Sequence, residues 1–260
     1  MTDATQDELE QFEMSGFFVR RDVFSASELQ QIREAAEHAH GRVLEEASGE
    51  ETPEIEQVDN QRYQKLLGSS VKWEWDRELR AVRSMEPVYH LDSRLEALID
   101  DPRLWGPCRS VLGTDGLSLF TDKLNVKRPG GAPFPWHQEA PYWAFGAVEA
   151  NRIVSAFVYL DEGTRENGCF WVIPGSHRHG TLEGLKNRGV LGALYTDVSD
   201  LGEGVPLAVP AGTVVYLHAE IVHGSPSNRT QTDRRIYIVA YQPPGSHRQH
   251  VESVRDIIGS

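Results

Sequence analysis

A histidine and a glutamate lie two positions apart in a segment rich in Pro and aromatic residues, residues 135–143, PWHQEAPYW. On a β-strand, residues i and i+2 project from the same face, so His137 and Glu139 are expected to point together. An imidazole nitrogen and a carboxylate oxygen in that arrangement can bind one metal ion. A His-x-Glu pair alone is more often a surface or structural feature, so a metal site needs a third ligand elsewhere in the chain.

The best candidate for the third ligand ends the apolar segment of residues 212–224, GTVVYLHAEIVHG. His223 closes this segment and a glycine follows it, whereas His218 lies five positions earlier. If the segment is one regular strand, an odd offset puts the two side chains on opposite faces, and only one can face a barrel interior. The turn residues after His223 favour that histidine. With His137 and Glu139 it would form the facial triad of non-haem Fe(II) oxygenases, which leaves coordination positions open.

A basic residue suited to holding a carboxylate follows the third ligand. Arg234 comes eleven residues after His223, at the start of the apolar segment RRIYIVAYQ. Its planar guanidinium can bind a carboxylate through two parallel hydrogen bonds. Periodicity does not separate Arg234 from Arg235, one of which must point outward. Ser225 could donate to the same carboxylate or serve only as a turn residue. A dicarboxylate that chelates iron at one end would need such groups at the other.

The N-terminal part of the chain is predicted to be mainly helical. Residues 5–42 show two apolar stripes around a short apolar segment, which predicts a helix, a strand and a second helix. Ser25 and Glu28 form a capping box, S-x-x-E, at the start of that second helix. Residues 92–113 predict one or two further helices that end at a glycine. We therefore expect a helical layer at about residues 1–113.

The remaining sequence is typical of an all-β core. Short β-branched and aromatic segments are separated by clusters of Gly, Pro, Asn and Asp, which favours an antiparallel sandwich or barrel. We expect this core at about residues 114–245 and a single domain over residues 1–260. The predicted strands lie within residues 117–127, 152–162, 168–175, 212–224 and 234–242.

Composition and charge exclude several classes of function. The 260 residues carry a formal net charge of −13, which argues against nucleic acid and anionic membranes but not against a small substrate. The two cysteines do not suggest a disulfide scaffold. The N-terminal segment shows no signal peptide and no apolar run is long enough to span a membrane, so we expect a cytoplasmic protein. The oligomeric state is not predicted.

One acidic segment has no assigned role. Residues 45–61, EEASGEETPEIEQVDNQ, hold seven acidic residues and no basic one. A solvated loop is the expected structure, and a lid over a binding site is the alternative.

Three blocks in the correct order resemble the phytanoyl-CoA dioxygenase family of Fe(II)/2-oxoglutarate-dependent oxygenases. They are KRPGGAPFPWHQEAPYW, ENGCFWVIPGSH and HGSPSNRTQTDRR, and the resemblance covers roughly residues 10–245. It implies a fold that is mostly β with α: a double-stranded β-helix, or cupin-like jelly roll, flanked by N-terminal helices.

The resemblance also implies roles for individual residues. His137, Glu139 and His223 fall on the iron positions. Arg234 and Ser225 fall on the positions that hold 2-oxoglutarate, which would decide between Arg234 and Arg235. Arg83 matches an upstream basic residue that helps to hold 2-oxoglutarate. Three aromatic residues fall near positions that line the substrate pocket, although each could equally be a core residue: Tyr142, Trp143 and Phe157.

The family usually has Asp where this chain has Glu139, a side chain one methylene longer that must fold back to reach the same ion. Because a carboxylate is retained, the resemblance implies hydroxylation of an unactivated C–H bond of a small molecule, with consumption of O2 and release of succinate and CO2. The alternative is a non-catalytic or differently metallated cupin-like ligand-binding protein. The sequence shows no compact basic cluster suited to coenzyme A phosphates, so an acyl-CoA substrate is not favoured.

Overall fold

Helices cover one side of an extensive antiparallel β-structure. The computed structural model describes residues 2–79, 81–143, 149–185, 189, 192, 194–249 and 253–257. The predicted capping box is present, since the Ser25 side chain accepts from the Glu28 N–H and Glu28 bonds back to the Ser25 N–H. The helices of the described residues are α1 (Gln6–Ser15), α2 (Ala26–Ala47), α3 (Ser93–Ile99), α4 (Pro102–Leu112) and the single turn α5 (Ala140–Trp143).

The strands of the described residues form two sheets. Their bounds are β1 (Phe17–Arg20), β2 (Glu56–Val58), β3 (Gln61–Leu66), β4 (Ser69–Trp73), β5 (Val82–Glu86), β6 (Ser118–Lys127), β7 (Phe134–His137), β8 (Val154–Tyr159), β9 (Phe170–Val172), β10 (Val205–Leu207), β11 (Val214–His218), β12 (His223–Ser225) and β13 (Arg234–Gln242). The larger sheet has the order β1-β11-β8-β13-β6-β5-β4-β3-β2, and the smaller has the order β10-β9-β12-β7.

Alternation along the strands divides the interior into two layers. Phe157 of β8 packs against Phe170 of β9, with 5.1 Å between ring centroids, so the two sheets share one apolar cluster. Ile236 of β13 belongs to the same cluster, whereas its neighbour Tyr237 faces the helices and packs with Leu95 of α3. This arrangement confirms the predicted double-stranded β-helix with helices on one side.

The first 113 residues contribute more strands than the sequence pattern indicates. Strands β2 to β5 extend the larger sheet beyond β6, so the predicted helical layer describes only part of this region. Alternation in these strands is difficult to recognise because polar side chains such as Gln61 and Lys72 occupy the face away from the helices. The single-domain organisation over residues 1–260 stays a prediction.

The acidic segment is only partly a loop. Its first three residues complete α2, and residues 56–58 form the edge strand β2, which pairs with β3. The turn residues between these elements agree with the predicted solvated loop. None of the helices in the described ranges combines the length and apolar character needed to cross a membrane.

We expect Tyr237→Phe to destabilise the fold by about 1–3 kcal/mol, because it removes one hydrogen-bond donor from the buried Asp122 carboxyl. The Tyr237 hydroxyl donates to Asp122 Oδ2 at 2.9 Å, and the Val88 N–H donates to Oδ1 at 3.0 Å. Burial raises the pKa of Asp122 to about 7. The ordinary value is 3.8, so the folded protein holds this proton more tightly than the unfolded chain does. The contribution of Asp122 to the free energy of unfolding therefore decreases as the pH rises from about 4 to 7.

The Tyr237 hydroxyl bonds the ionised Asp122 carboxylate more strongly than the protonated carboxyl. The loss of stability in Tyr237→Phe should therefore be greater at pH 8 than at pH 5. Urea unfolding at both pH values measures this difference. Tyr241→Phe is the matched control, because among the described residues its hydroxyl bonds a carbonyl, that of Ile99 at 2.9 Å, and not a carboxylate. An equal, pH-independent cost for both variants would contradict the assignment.

Candidate metal centre

Three predicted ligand atoms converge where β7 ends and β12 begins. Glu139 Oε1 lies 3.8 Å from His137 Nε2 and 3.6 Å from His223 Nε2, and all three ligand atoms lie within 4.8 Å of one another. His137 and His223 are register partners across β7 and β12. Glu139 follows β7 in a turn whose N–H groups at Glu139 and Ala140 both donate to the Ala219 carbonyl, at 3.1 and 3.0 Å. The turn, and not strand alternation alone, directs Glu139 towards the histidines.

Hydrogen bonds fix the tautomer of both histidines. Nδ1 of His137 lies 2.7 Å from the Pro135 carbonyl, and Nδ1 of His223 lies 3.0 Å from the Ile221 carbonyl. A carbonyl can only accept, so each Nδ1 carries the proton and each Nε2 presents a lone pair. Both Nε2 atoms therefore face Glu139 as acceptors.

The donor atoms at this site suit a metal cation. Burial, reinforced by His223, lowers the pKa of His137 to about 4, so that imidazole is neutral near pH 7. Burial opposes ionisation of Glu139, but the charge of Lys123 holds the pKa of its carboxyl well below the ordinary value. Two lone pairs and a carboxylate oxygen with no proton between them suit a divalent metal ion. The longer Glu139 side chain reaches both histidines, so these residues fit the implied iron.

Gln138, the residue between the ligands His137 and Glu139, anchors this segment through its side chain. The buried Gln138 side chain donates to the carbonyls of Gly180 and Glu220, at 2.8 and 2.6 Å, and accepts from the Leu182 N–H at 2.8 Å. Gln138 thus joins β7 to the segments around residues 180 and 220. Gln138 is therefore a positioning residue for the ligands on either side of it. From the sequence alone, strand alternation would predict only that Gln138 points away from His137 and Glu139.

We expect Gln138→Ala to lower the affinity for Fe(II) by about 10-fold, because partners that orient ligands typically contribute that much. It should also cost about 1–3 kcal/mol of stability. Gln64→Ala is the matched control: Gln64 is equally anchored in the interior, to Pro53 and Trp73, but lies away from the ligands. Calorimetric metal titration should show weaker binding only for Gln138→Ala, and an equal change in both variants would contradict the role.

The two adjacent arginines of β13 point to opposite sides of the sheet. Arg235 faces the helices, where it bonds Asp161 at 2.8 Å and Glu37 of α2 at 2.8 Å. Arg234 faces the interior with 2 % of its surface exposed. Within the described residues no carboxylate lies within 4 Å of Arg234, and its Nε has no hydrogen-bond partner. A buried guanidinium in this state is suited to a carboxylate supplied by a ligand.

A lysine that the sequence analysis did not select lies beside this arginine. Lys127 of β6 is the register partner of Arg234, and its Nζ donates to Ser225 Oγ at 2.6 Å. Burial, followed by the charges of Arg234 and Arg83, lowers the pKa of Lys127 well below its ordinary value. Ser225 lies two residues after His223, so the cationic pair adjoins the metal ligands. Strand alternation on β6 could have identified Lys127 once β6 and β13 were known to pair.

Arg83 reaches the same region with most of its donors already engaged. It donates to the carbonyls of Ala132 and Pro133, pairs with Glu74 at 3.4 Å, and stacks on Phe134 with 3.9 Å to the ring centroid. These contacts hold the segment that leads into β7. Arg83 also lines the pocket, and its Nε has no hydrogen-bond partner among the described residues, so its role towards 2-oxoglutarate stays a prediction.

The three predicted substrate residues occupy different places. Tyr142 lines the pocket beside the metal ligands, with its ring 5.7 Å from that of His137. Phe157 is a core residue that contacts the His223 ring edge-on at 6.4 Å. Trp143 packs against Phe120 in a separate apolar cluster. The core alternative therefore describes the surroundings of Trp143 and Phe157.

Among the other pocket residues, Gln61, Tyr63 and Lys72 lie on β3 and β4, which the sequence pattern did not reveal, whereas Lys123 lies on the predicted strand β6. They depend on the pairing of β3, β4 and β6, which no local pattern specifies. The set comprises Gln61, Tyr63, Lys72, Lys123 and Tyr195.

Comparisons with known proteins agree with this geometry. The sequence profile described as phytanoyl-CoA dioxygenase (PhyH) matches residues 12–236. A probable alpha-ketoglutarate-dependent hypophosphite dioxygenase of Stutzerimonas stutzeri is 28% identical over 232 residues, 87% of this chain and 74% of that protein. A methylphosphonate hydroxylase of Gimesia maris is 30% identical over 134 residues, 52% of this chain and 48% of that protein.

The solved structures show the same fold. The crystal structure of EctD from S. alaskensis with 2-oxoglutarate and 5-hydroxyectoine superposes with a TM-score of 0.71 at 23% identity, covering 95% of this chain and 78% of that one. Since the family profile spans most of the sequence and the fold agrees, the chain belongs to the phytanoyl-CoA dioxygenase family.

Proposed function

We propose that the chain is an Fe(II)- and 2-oxoglutarate-dependent dioxygenase that hydroxylates a C–H bond of a small molecule and releases succinate and CO2. The observation that carries this proposal is the convergence of two imidazole lone pairs and the Glu139 carboxylate next to a buried arginine without a carboxylate partner in the described structure. A cytoplasmic location and a low-molecular-weight substrate are parts of the same proposal.

Each residue has a defined task in this reaction. His137, Glu139 and His223 would hold Fe(II), and bound iron supplies the activation of O2 and of the 2-oxo acid. Arg234 would bind the far carboxylate of 2-oxoglutarate, helped by Ser225. Lys127 would orient the Ser225 hydroxyl through the hydrogen bond between them.

The remaining residues orient the site and limit access of water. Carbonyls of Pro135 and Ile221 engage Nδ1 of both imidazoles, so that Nε2 of each is the nitrogen directed to the metal. Phe157 and Phe170 cover the His223 ring from the barrel interior, where Phe170 stacks on it at 4.8 Å. This apolar cover excludes water from the inner side of the site.

The test is product formation from 2-oxoglutarate. Purified protein with Fe(II), 2-oxoglutarate and O2 should release succinate slowly, and a true substrate should accelerate the release. Omission of Fe(II) should stop it, and the cupin-like binding-protein alternative predicts no succinate under any condition. Retention of the metal and of 2-oxoglutarate without turnover against a broad set of small molecules would favour that alternative.

A further inference from the structure

A second cationic group lines the pocket on the other side of the metal ligands. We call it the lysine wall and define it as Lys72 and Lys123 with the rings of Tyr63 and Tyr142. Both lysines line the pocket that contains His137 and Glu139. The Lys72 ammonium lies 5.5 Å from the Tyr63 ring centroid and 5.7 Å from that of Tyr142.

Both lysines of the wall are partly buried, and within the described ranges Lys72 lacks the close anion that usually accompanies such a lysine. In the part of the chain that the structure describes, Lys72 has no carboxylate within 4 Å and donates no hydrogen bond. Lys123 differs from Lys72: burial opposes its charge, but Glu139 and Glu86 raise its pKa, and Glu86 lies 3.8 Å from its ammonium. Glu139 is the other nearby carboxylate, and a divalent metal ion would take up its charge. The pocket therefore keeps excess positive charge once the metal is bound.

A purely structural role explains this arrangement poorly. Removing an ammonium from water is costly, and a ring face returns only about 0.5–2 kcal/mol. The two lysines also repel each other, and burial together with Lys123 lowers the pKa of Lys72 to about 8. Such a cost is retained where a ligand supplies the missing anion.

The lysine wall is separate from the groups assigned to 2-oxoglutarate. Lys123 and Lys127 lie four residues apart on β6, roughly 13 Å at the usual strand rise of about 3.3 Å per residue. Lys127 bonds Ser225 next to His223, whereas Lys123 is the leading charge acting on Glu139. The metal ligands thus lie between two cationic groups, of which one suits the cosubstrate and the other remains for the substrate.

We propose that Lys72 and Lys123, with the Tyr63 hydroxyl, bind the oxyanion of the substrate, and that this substrate is a small alkylphosphonate. The inference rests on the proposed function and deepens it. Two ammonium groups and a phenol offer donors in several directions, which suits a tetrahedral group with three oxygens better than a planar carboxylate, for which Arg is preferred. Two similar proteins carry the names of enzymes for hypophosphite and methylphosphonate.

The reaction balances for this substrate. A C–H bond next to phosphorus breaks and a C–OH bond forms with one atom of O2. The other atom enters succinate as 2-oxoglutarate loses CO2. Substrate and 2-oxoglutarate each supply two electrons, which together reduce O2 fully.

The experiment measures binding of methylphosphonate to the anaerobic complex with Fe(II) and 2-oxoglutarate by calorimetry. Lys72→Met should raise the dissociation constant roughly 10- to 100-fold, as expected for loss of a charge-assisted hydrogen bond. Lys72→Arg should restore part of the affinity. Lys65→Met is the matched control, because Lys65 lies exposed on the neighbouring strand β3. Lys72 is the better variant, since Lys123 also acts on Glu139.

The possible outcomes distinguish failure of the inference from failure of the proposed dioxygenase function. Suppose that 2-oxoglutarate binds the iron complex. If methylphosphonate then fails to bind, or binds Lys72→Met as tightly as the original protein, the inference is wrong and the proposed function stands. If acetate binds as tightly as methylphosphonate and with the same dependence on Lys72, the oxyanion is a carboxylate and the phosphonate assignment is wrong. Lys72-dependent binding of methylphosphonate without any 2-oxoglutarate binding would support the lysine wall and contradict the dioxygenase.

Discussion

Glu139→Ala is expected to weaken Fe(II) binding by more than about 100-fold, since even the loss of a partner that orients a ligand costs about 10- to 100-fold. Glu139 supplies the negative charge among the three ligands, and its oxygen lies within 3.8 Å of both imidazole nitrogens. His137 and His223 are held in the tautomer that presents lone pairs and cannot balance a divalent ion alone. Anaerobic equilibrium dialysis with Fe(II) measures the change, and succinate formation should disappear with it.

Glu139→Asp is the control for this result. Aspartate is the usual family residue at this position, and it retains the charge on a side chain one methylene shorter. We expect iron binding to survive within about 10-fold of the original, the change typical of a disturbed ligand orientation. If Glu139→Ala binds Fe(II) as tightly as the unchanged protein, the site described here does not hold the metal.

Arg234→Met is expected to raise the dissociation constant for 2-oxoglutarate on the order of 100-fold or more, because two charge-assisted hydrogen bonds are lost. The same change should leave the ligand-free protein equally stable or more stable. Arg234 is buried without a carboxylate partner in the described residues, so its replacement by an apolar side chain removes a desolvation cost. Function and stability should therefore respond in opposite directions.

Arg235→Met is the control, one residue away on the other face of β13. Arg235 links Asp161 to Glu37 of α2, so its loss should lower stability and leave 2-oxoglutarate binding unchanged. Thermal unfolding and 2-oxoglutarate titration of both variants give four values. Equal loss of 2-oxoglutarate affinity in the two variants would contradict the assignment of Arg234 to the carboxylate.

The metal ligands were selected from sequence for reasons that the structure only partly supports. His137 and Glu139 do converge, but Glu139 lies in a turn beyond β7, so its direction depends on the bonds to Ala219. Strand parity allowed only one of His218 and His223 to face the interior, and the turn residues after His223 favoured that histidine. The two residues belong to different sheets, because the chain leaves β11 and crosses to β12 between them. His218 instead packs against Phe12 and His177 on the helical side.

Sequence periodicity could not reveal the cationic groups of the pocket. Lys72 and Lys123 are fifty-one residues apart and meet because β4, β5 and β6 are neighbours in the larger sheet. β4 is short and presents polar residues to the pocket, so its apolar alternation is weak, and the predicted strand β6 gives no local sign of its neighbours. Arg234 and Arg235 illustrate the same limit: local pattern permits either, and only the faces of the assembled sheet separate them.

An anaerobic titration of the metal-free protein with Fe(II) and then 2-oxoglutarate, followed by visible absorbance, tests the central claim most directly. The account predicts a metal-to-ligand charge-transfer band that requires both components, disappears in Glu139→Ala and needs much more 2-oxoglutarate in Arg234→Met. A protein that binds Fe(II) weakly or not at all and shows no band at saturating 2-oxoglutarate would contradict the dioxygenase and favour a cupin-like ligand-binding protein.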